Sequence, residues 1–159
     1  MKNLEDKIIK TPRKLNQVIS AWKTKNQKVV FTNGCFDILH FGHLKLLFES
    51  KKLGDKLIVG LNTDISIKKI KGEHRPLNTN YQRSIMLASL SFVDKIVFFS
   101  EMTPINLIKQ ISPNILTKGS DYKLSNVVGL EEILNFGGEV KLIPIVENLS
   151  TSLLIRENK

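Results

Sequence analysis

Short apolar runs alternate with helical patterns along this chain, and that alternation limits the folds open to it. Five runs typical of buried strands lie between segments in which apolar residues recur at helical spacing, as Leu15, Ile19 and Trp22 do. Strands separated by helices pair in parallel, so we predict an α/β fold, a Rossmann-like three-layer sandwich with a five-stranded parallel sheet. The predicted strands are 28–32, 56–61, 96–99, 115–117 and 140–146.

Capping residues place the helices between these strands. Thr79 and Gln82 have the spacing of a capping box and predict a helix that reaches about Phe92. Thr103 and Pro104 predict an N-cap followed by proline at the first helical position. Further helices are predicted over 12–24, 130–135 and 150–156. We expect one domain over 1–159, with a helical N-terminal segment, 1–27, packed on it.

Composition excludes several classes of protein. No apolar run approaches the length of a membrane span and no signal peptide is evident, so we expect no membrane partner. Cys35 is the only cysteine, which precludes an internal disulfide and fits the reducing cytoplasm. The net charge of +9 favours anionic partners, but 20 of the 24 basic residues are dispersed lysines. We therefore expect no nucleic-acid partner.

Polar residues gather where the predicted strands end. The carboxyl ends of parallel strands meet at one edge of the sheet, where open α/β sheets bind ligands. The residues at this edge are Asn33, Asp37, His40, His43, Asn62, Asp64, Lys118, Gly119, Ser120, Asp121, Asn148, Ser150, Thr151 and Ser152.

The sharpest signal at this edge is His40-Phe41-Gly42-His43, at the start of a predicted helix. Imidazoles three residues apart on a helix face one ligand, and Gly42 leaves room for it near the backbone. Imidazoles donate hydrogen bonds and can carry positive charge, which suits phosphoryl oxygens that gain charge during a displacement. The chain has no Walker A or Gly-x-Gly-x-x-Gly motif, so the helix N-termini near His43 and Ser150 are the candidate phosphate sites.

Other interpretations of the histidines remain open. A zinc site would need carboxylates to complete it, because the only other histidine, His74, lies in a different segment. The pair could also be ordinary polar residues at a helix cap.

The segment 66–78 is rich in cations and follows the second strand. Lys68 and Lys69 extend a short helix after Asp64, while Lys71 and Arg75 lie in irregular structure. We predict a lid that folds over a bound triphosphate. A solvated surface loop is the alternative.

Two segments carry a family resemblance. Residues 32–43, Thr-Asn-Gly-Cys-Phe-Asp-Ile-Leu-His-Phe-Gly-His, resemble the first signature of the cytidylyltransferase-like nucleotidyltransferases. Residues 150–156 resemble their second, Ser-Thr-Thr-x-x-Ile-Lys/Arg. Within that family the chain looks most like the heptose 1-phosphate adenylyltransferases, with further likeness at 62–64, 71–78, 82–83, 118–122 and 137–140. Ser120, where those enzymes usually have Gly, and Leu149-Ser150-Thr151-Ser152, where they have Cys-Ser-Thr-Thr, depart from the pattern.

The resemblance implies transfer of AMP from ATP to D-glycero-β-D-manno-heptose 1-phosphate, for lipopolysaccharide core biosynthesis. It implies that His40 and His43 are catalytic and that Mg²⁺ arrives with the triphosphate, with no metal held by the protein. The implied nucleotide-binding residues are Thr32, Asn33, Gly34, Cys35, Phe36, Gly42, Lys71, Arg75, Lys118, Gly119, Ser150, Thr151 and Ser152. The implied substrate-binding residues are Asp37, Asn62, Asp64, Arg83 and Asp121.

Three of these residues have a second interpretation. Asp37, implied to contact metal or substrate, could instead cap the following helix. Asp121 could close a turn, and Arg83 could pair with a carboxylate on its own helix surface.

The resemblance also implies partners: ATP, a sugar phosphate, a second copy in a homodimer, and a separate heptose kinase and phosphatase that act earlier. One alternative is a cytidylyltransferase that acts on glycerol 3-phosphate or another small phosphorylated alcohol. Those relatives usually carry an Arg shortly before the second signature, whereas 145–148 here read Ile-Val-Glu-Asn. Another alternative is a non-catalytic nucleotide sensor, against which the intact histidine pair argues.

Overall fold

A parallel sheet of six strands forms the centre of the structure, a computed structural model that describes residues 2–120 and 123–144. The strand order is β1-β4-β3-β2-β5-β6. The α/β class is confirmed, and the strand number is corrected from five to six. The strands are β1 (Ile8–Ile9), β2 (Val29–Gly34), β3 (Lys56–Asn62), β4 (Lys95–Phe99), β5 (Ile115–Gly119) and β6 (Glu139–Ile143).

The additional strand, β1, lies within the N-terminal segment that the sequence predicts to be only helical. It pairs in parallel with β4, with Ile8 opposite Ile96 and Ile9 opposite Val97. Two residues are too few to show the alternation by which a strand is recognised in a sequence. Its partner lies almost ninety residues away, so the pairing depends on the assembled sheet.

Helices cover both faces of the sheet, which gives the predicted three layers. The helical residues Leu15, Ile108 and Ile133 lie in the core on one face, and Leu47 and Leu87 lie in the core on the other. None of the helices in the described ranges is both long and apolar enough to cross a membrane. The helices are α1 (Lys2–Glu5), α2 (Pro12–Thr24), α3 (Phe41–Lys52), α4 (Asp64–Lys71), α5 (Asn80–Ser89), α6 (Ile105–Ile111) and α7 (Leu130–Asn135), with a short 3₁₀ turn at Leu124–Asn126.

In the described structure, side-chain caps open three of the helices, α2, α4 and α5. The predicted capping box is confirmed, since the Thr79 and Gln82 side chains each bond the other's backbone amide. That helix ends at Ser89 rather than near 92, because Leu90 is already extended. The predicted start of α6 is one residue early, with Pro104 at the N-cap. Residues 145 and 146 of the predicted last strand and the predicted helix 150–156 lie outside the described residues, and the single domain over 1–159 stays a prediction.

Candidate functional site

The order of the strands creates a crevice at the carboxyl ends of β2 and β5. After β2 the chain adds β3 and β4 on one side, and it then crosses to add β5 and β6 on the other. Helices therefore diverge at the ends of β2 and β5, which is where such sheets bind ligands. Lys118, at the end of β5, spans this point and donates a hydrogen bond to the Asn33 carbonyl oxygen of β2 at 3.2 Å.

The loop that leaves β2 turns sharply at Phe36. This residue has a φ of +45°, in the left-handed region that costs a non-glycine residue about 1–2 kcal/mol. Its ring is 3% exposed and packs against His43, with 5.1 Å between ring centroids. Gly34 admits this turn, because a Cβ there would lie 3.1 Å from the Phe36 ring. This turn thus places the Phe36 ring against His43.

The two histidines lie together at the N-terminus of α3. His40 is the N-cap residue, and His43 and Gly42 belong to the first turn. The two imidazole rings stack, with 3.8 Å between centroids and 25° between planes. No side-chain hydrogen bond from the described residues caps this helix end. Its first amides and the positive end of its dipole are therefore available to an anion beside the imidazoles.

Both histidines are neutral at neutral pH. Burial, with smaller contributions from the nearby His40 and Lys71, lowers the pKa of His43 to about 4, against the opposing effect of a hydrogen bond with the Ile38 backbone. Burial also lowers the pKa of His40. The sequence allowed for a positive charge here, but burial favours the neutral imidazoles. A neutral imidazole has one N–H, and that of His43 is shared with the Ile38 backbone. Its Nδ1, which has no partner among the described residues, can therefore donate to a phosphoryl oxygen only after protonation, which a bound anion favours.

Some buried polar atoms of this region have no partner within the described residues. Among them are the Oδ1 atom of Asn33 and the Nδ1 atom of His40. Buried polar atoms nearly always make hydrogen bonds in native proteins, and an unpaired one costs about 1–3 kcal/mol. Their position beside an open helix N-terminus indicates that a ligand completes them.

Two cations of the segment 66–78 reach this region. Lys71 is the last residue of α4, so 66–71 is helical and only 72–78 is irregular. The Lys71 charge acts on both His43 and the Cys35 thiol. Burial raises the pKa of that thiol, and the charges of Lys71, Arg83 and Arg75 act in the opposite direction.

Arg75 donates a hydrogen bond from Nε to the Asp37 carboxylate at 2.7 Å. Lys71 and Arg75 therefore lie near the loop that carries the histidines.

The Asp37 carboxylate is 1% exposed and is bound by protein donors. Besides Arg75, the backbone amides of Leu77 and Asn78 donate to it at 2.8–3.0 Å. Burial acts to raise the pKa of Asp37, but these three donors outweigh it and hold that pKa below its ordinary value. The N-cap of α3 is His40, so Asp37 does not cap that helix. The carboxylate instead ties residues 75–78 to the histidine loop, which is residues 35–43 from the end of β2 to the first turn of α3.

Arg83 is fully buried and joins three segments. Its guanidinium donates to the carbonyl oxygens of Asn78 at 3.0 Å and Cys35 at 2.7 Å. It also donates to the Asp64 carboxylate and the Asn80 side chain, each at 2.7 Å. Its carboxylate partner is on α4 rather than on its own helix. The structure thus places Arg83 below the site surface, where it holds the surrounding chain.

The remaining predicted residues fall into three groups. Thr32 is buried within the sheet and bonds the Thr117 carbonyl, and Asn62 is buried and bonds Ser66. Cys35 and Gly42 lie at the histidine loop, and Gly119 ends β5. Asp121, Ser150, Thr151 and Ser152 lie outside the described residues.

Sequence reasoning missed two asparagines in this network. Asn78 donates from its side chain to the Asp37 carbonyl at 2.6 Å, and Asn80 exchanges hydrogen bonds with Asp64 across sixteen residues. Asparagines on both sides of a capping-box threonine were the available signal, since they commonly bond nearby backbone. Within the described ranges no three His, Cys, Asp or Glu side chains are grouped to hold a metal ion.

Comparisons with known proteins agree with this geometry. The profile of the cytidylyltransferase-like family matches residues 31–157. The chain is 51% identical over 143 residues to the bifunctional protein HldE of Campylobacter jejuni subsp. doylei, covering 90% of this chain and 30% of that protein. It thus spans about a third of the length of the curated relatives it matches.

Solved structures extend the comparison. The lipopolysaccharide core biosynthesis protein of Thermoplasma volcanium is 32% identical, with a TM-score of 0.62 over 76% of this chain and 97% of that one. A pantoate-beta-alanine ligase of Francisella tularensis shares only the fold, at 18% identity and a TM-score of 0.70 over 96% of this chain and 72% of that one. The profile match over most of the chain decides the family. The chain belongs to the cytidylyltransferase-like family.

Proposed function

We propose that this chain transfers AMP from ATP to D-glycero-β-D-manno-heptose 1-phosphate and releases ADP-heptose and pyrophosphate for lipopolysaccharide core biosynthesis. The observation that carries the proposal is the stacked pair His40 and His43, at an uncapped helix N-terminus beside the crevice between β2 and β5. The sugar rests on relatives named HldE and on a neighbour described as a lipopolysaccharide core biosynthesis protein.

The proposed chemistry is one in-line displacement. An oxygen of the sugar phosphate forms a bond to the α-phosphorus of ATP, while the bond from that phosphorus to the bridging oxygen of the β-phosphate breaks. The electron pair leaves with pyrophosphate. The attacking phosphate is already anionic at neutral pH, so no general base is needed. Catalysis then consists of positioning and charge stabilisation.

Each group at the site has a role in this proposal. His40 and His43 donate N–H groups to the α- and β-phosphates, whose negative charge redistributes as the bond breaks. Lys71 and Arg75 supply positive charge from the side of α4. By resemblance, the amides and hydroxyls of Ser150–Ser152 hold the β- and γ-phosphates.

Mg²⁺ belongs to the proposal as a companion of the triphosphate. Asp37, the carboxylate in the loop before the histidines, is bound by three N–H donors and is left with little capacity for a cation. Since Asp37 is already occupied by protein N–H groups, the site fits an Mg²⁺ ion that is held by phosphate oxygens and waters rather than by protein side chains. When bound, Mg²⁺ neutralises charge on the leaving pyrophosphate. We also propose a homodimer in the cytoplasm that acts after a heptose kinase and a phosphatase.

Nucleotide choice tests this function against its nearest alternative. With heptose 1-phosphate as acceptor, kcat/KM for ATP should exceed that for CTP by about tenfold or more, because base discrimination comes from hydrogen bonds to base edges. Initial rates of pyrophosphate release at several concentrations of each nucleotide measure this ratio. A preference for CTP together with glycerol 3-phosphate would replace the proposal with a cytidylyltransferase, and nucleotide binding without turnover would indicate a sensor.

A further inference from the structure

The Asp37 carboxylate lies at the histidine loop but is saturated by the protein itself. It is 1% exposed, and Arg75 and the amides of Leu77 and Asn78 donate to its two oxygens. A carboxylate with those bonds has little capacity left for a metal or a sugar hydroxyl. Asp37 can therefore contribute to nucleotidyl transfer only by positioning the groups that donate hydrogen bonds to it.

Arg75 is the group held by Asp37 that has unused binding capacity. Within the described part of the chain only the Nε atom of its guanidinium donates a hydrogen bond, although a guanidinium carries five N–H donors. Its Nη2 is buried and has no partner among those residues. The side chain nevertheless keeps 13% of its surface exposed. A rigid cationic fork with free donors matches phosphate oxygens.

The surroundings of Arg75 indicate an anionic ligand. The Cys35 thiol is within electrostatic range of Arg75, Lys71 and Arg83, so three cations converge on the loop that precedes the histidines. In the described structure Asp37 neutralises Arg75, and Asp64 neutralises Arg83. The remaining positive charge, together with the open N-terminus of α3, favours a phosphate.

The segment that carries Arg75 is held at both ends. Lys71 ends α4, and the Asn78 carbonyl accepts from the buried Arg83, which also holds the Cys35 carbonyl. The Asn78 side chain returns to the Asp37 carbonyl at 2.6 Å. These bonds fix the backbone, but among the described residues Asp37 alone bonds the Arg75 guanidinium.

We propose that Asp37 is a positioning residue, which holds Arg75 so that the free N–H groups of its guanidinium bind a phosphoryl oxygen of the bound nucleotide. This inference rests on the proposed function. It differs from the direct metal or substrate contact that the sequence suggests for Asp37, because removal of Arg75 should abolish the contribution of Asp37.

A double-mutant cycle tests the proposal. Arg75→Ala should lower kcat/KM for ATP about 10-fold to 100-fold, the range for a lost hydrogen bond to a charged group. Asp37→Asn should cause a loss of the same order or smaller, because the amide cannot hold the cation. In the Arg75→Ala background, Asp37→Asn should cause less than about a twofold further loss.

Asp94→Asn is the matched control. Asp94 also accepts a backbone amide, that of Leu57, and pairs with Lys51, but it lies at the amino end of the sheet. The Asp94→Asn variant should have a lower melting temperature than the wild type but the same kcat/KM for ATP at a temperature well below unfolding. An equal change of kcat/KM in Asp94→Asn would mean that the Asp37 effect is structural, and the proposal would be wrong.

Three outcomes separate this inference from the proposed function. Additive losses in the cycle would show that Asp37 acts on its own, which overturns the inference. Unchanged kcat/KM in Arg75→Ala, in an enzyme that His43→Ala inactivates, would overturn the inference and leave the function standing. Should Asp37→Asn fail to fold, Arg75→Lys tests the same contact, since it keeps the charge and loses the fork. Full activity in that variant would also overturn the inference.

Discussion

Replacement of His43 by alanine is expected to lower kcat roughly 100-fold or more, the cost of losing a preorganised donor to a developing negative charge. The His43 imidazole stacks on His40 at 3.8 Å between centroids and packs against the Phe36 ring, so it is placed before the substrate arrives. The hydrogen bond from His43 to the phosphate strengthens as the bond between the α-phosphorus and the leaving pyrophosphate breaks. The loss of activity should therefore fall mainly on kcat rather than on KM for ATP. Steady-state rates of pyrophosphate release measure both.

His74→Ala is the matched control for this variant. His74 is exposed and lies in the segment after α4, so its removal should leave kcat within about twofold. The melting temperature of His43→Ala should fall only slightly, since it removes a half-buried ring at the surface. A His43→Ala enzyme that keeps most of its kcat would contradict the assigned role of the histidine pair.

Replacement of Arg83 by methionine is expected to lower the free energy of unfolding by roughly 3 kcal/mol, because it breaks a buried ion pair. This value is near the lower end for such pairs, since the partner, Asp64, is about a third exposed. The variant fills the space but leaves the Asp64 carboxylate and the Asn78 and Cys35 carbonyls without their donor. Urea unfolding, compared with the wild type, measures the difference.

Arg13→Met on the exposed face of α2 is the control for Arg83→Met and should change stability by less than about 0.5 kcal/mol. The folded Arg83 variant should also turn over more slowly, because the loops at 35–37 and 75–78 lose their common support. A loss of stability no larger than that of Arg13→Met would mean that the hydrogen bonds of Arg83 do not hold these loops together.

Local patterns predicted most of the fold. Alternation of apolar runs identified β2 to β6, and the capping box located α5, because both depend on residues near each other in sequence. β1 was missed because Ile8 and Ile9 become a strand only through pairing with Ile96 and Val97. Tertiary pairing of this kind has no local signature.

The site divides in the same way. His40 and His43 were predicted from their spacing, because a helix brings such residues together without help from the rest of the chain. The partners of Asp37 and Arg83 were not predicted, since Arg75 lies 38 residues from Asp37 and Cys35 lies 48 residues from Arg83. Only the folded sheet shows that Asp37 and Arg83 are each paired with an opposite charge distant in sequence, Arg75 and Asp64.

The most direct test of the account is ³¹P NMR of the enzyme with ATP, Mg²⁺ and D-glycero-β-D-manno-heptose 1-phosphate. The account predicts that ATP and sugar phosphate signals disappear together, while pyrophosphate and a nucleoside diphosphate sugar appear in equal amounts. Without the sugar phosphate, ATP should persist, because in-line transfer needs the acceptor as nucleophile. Release of AMP and pyrophosphate from ATP alone, or no change in any signal with all components present, would contradict nucleotidyl transfer to a sugar phosphate.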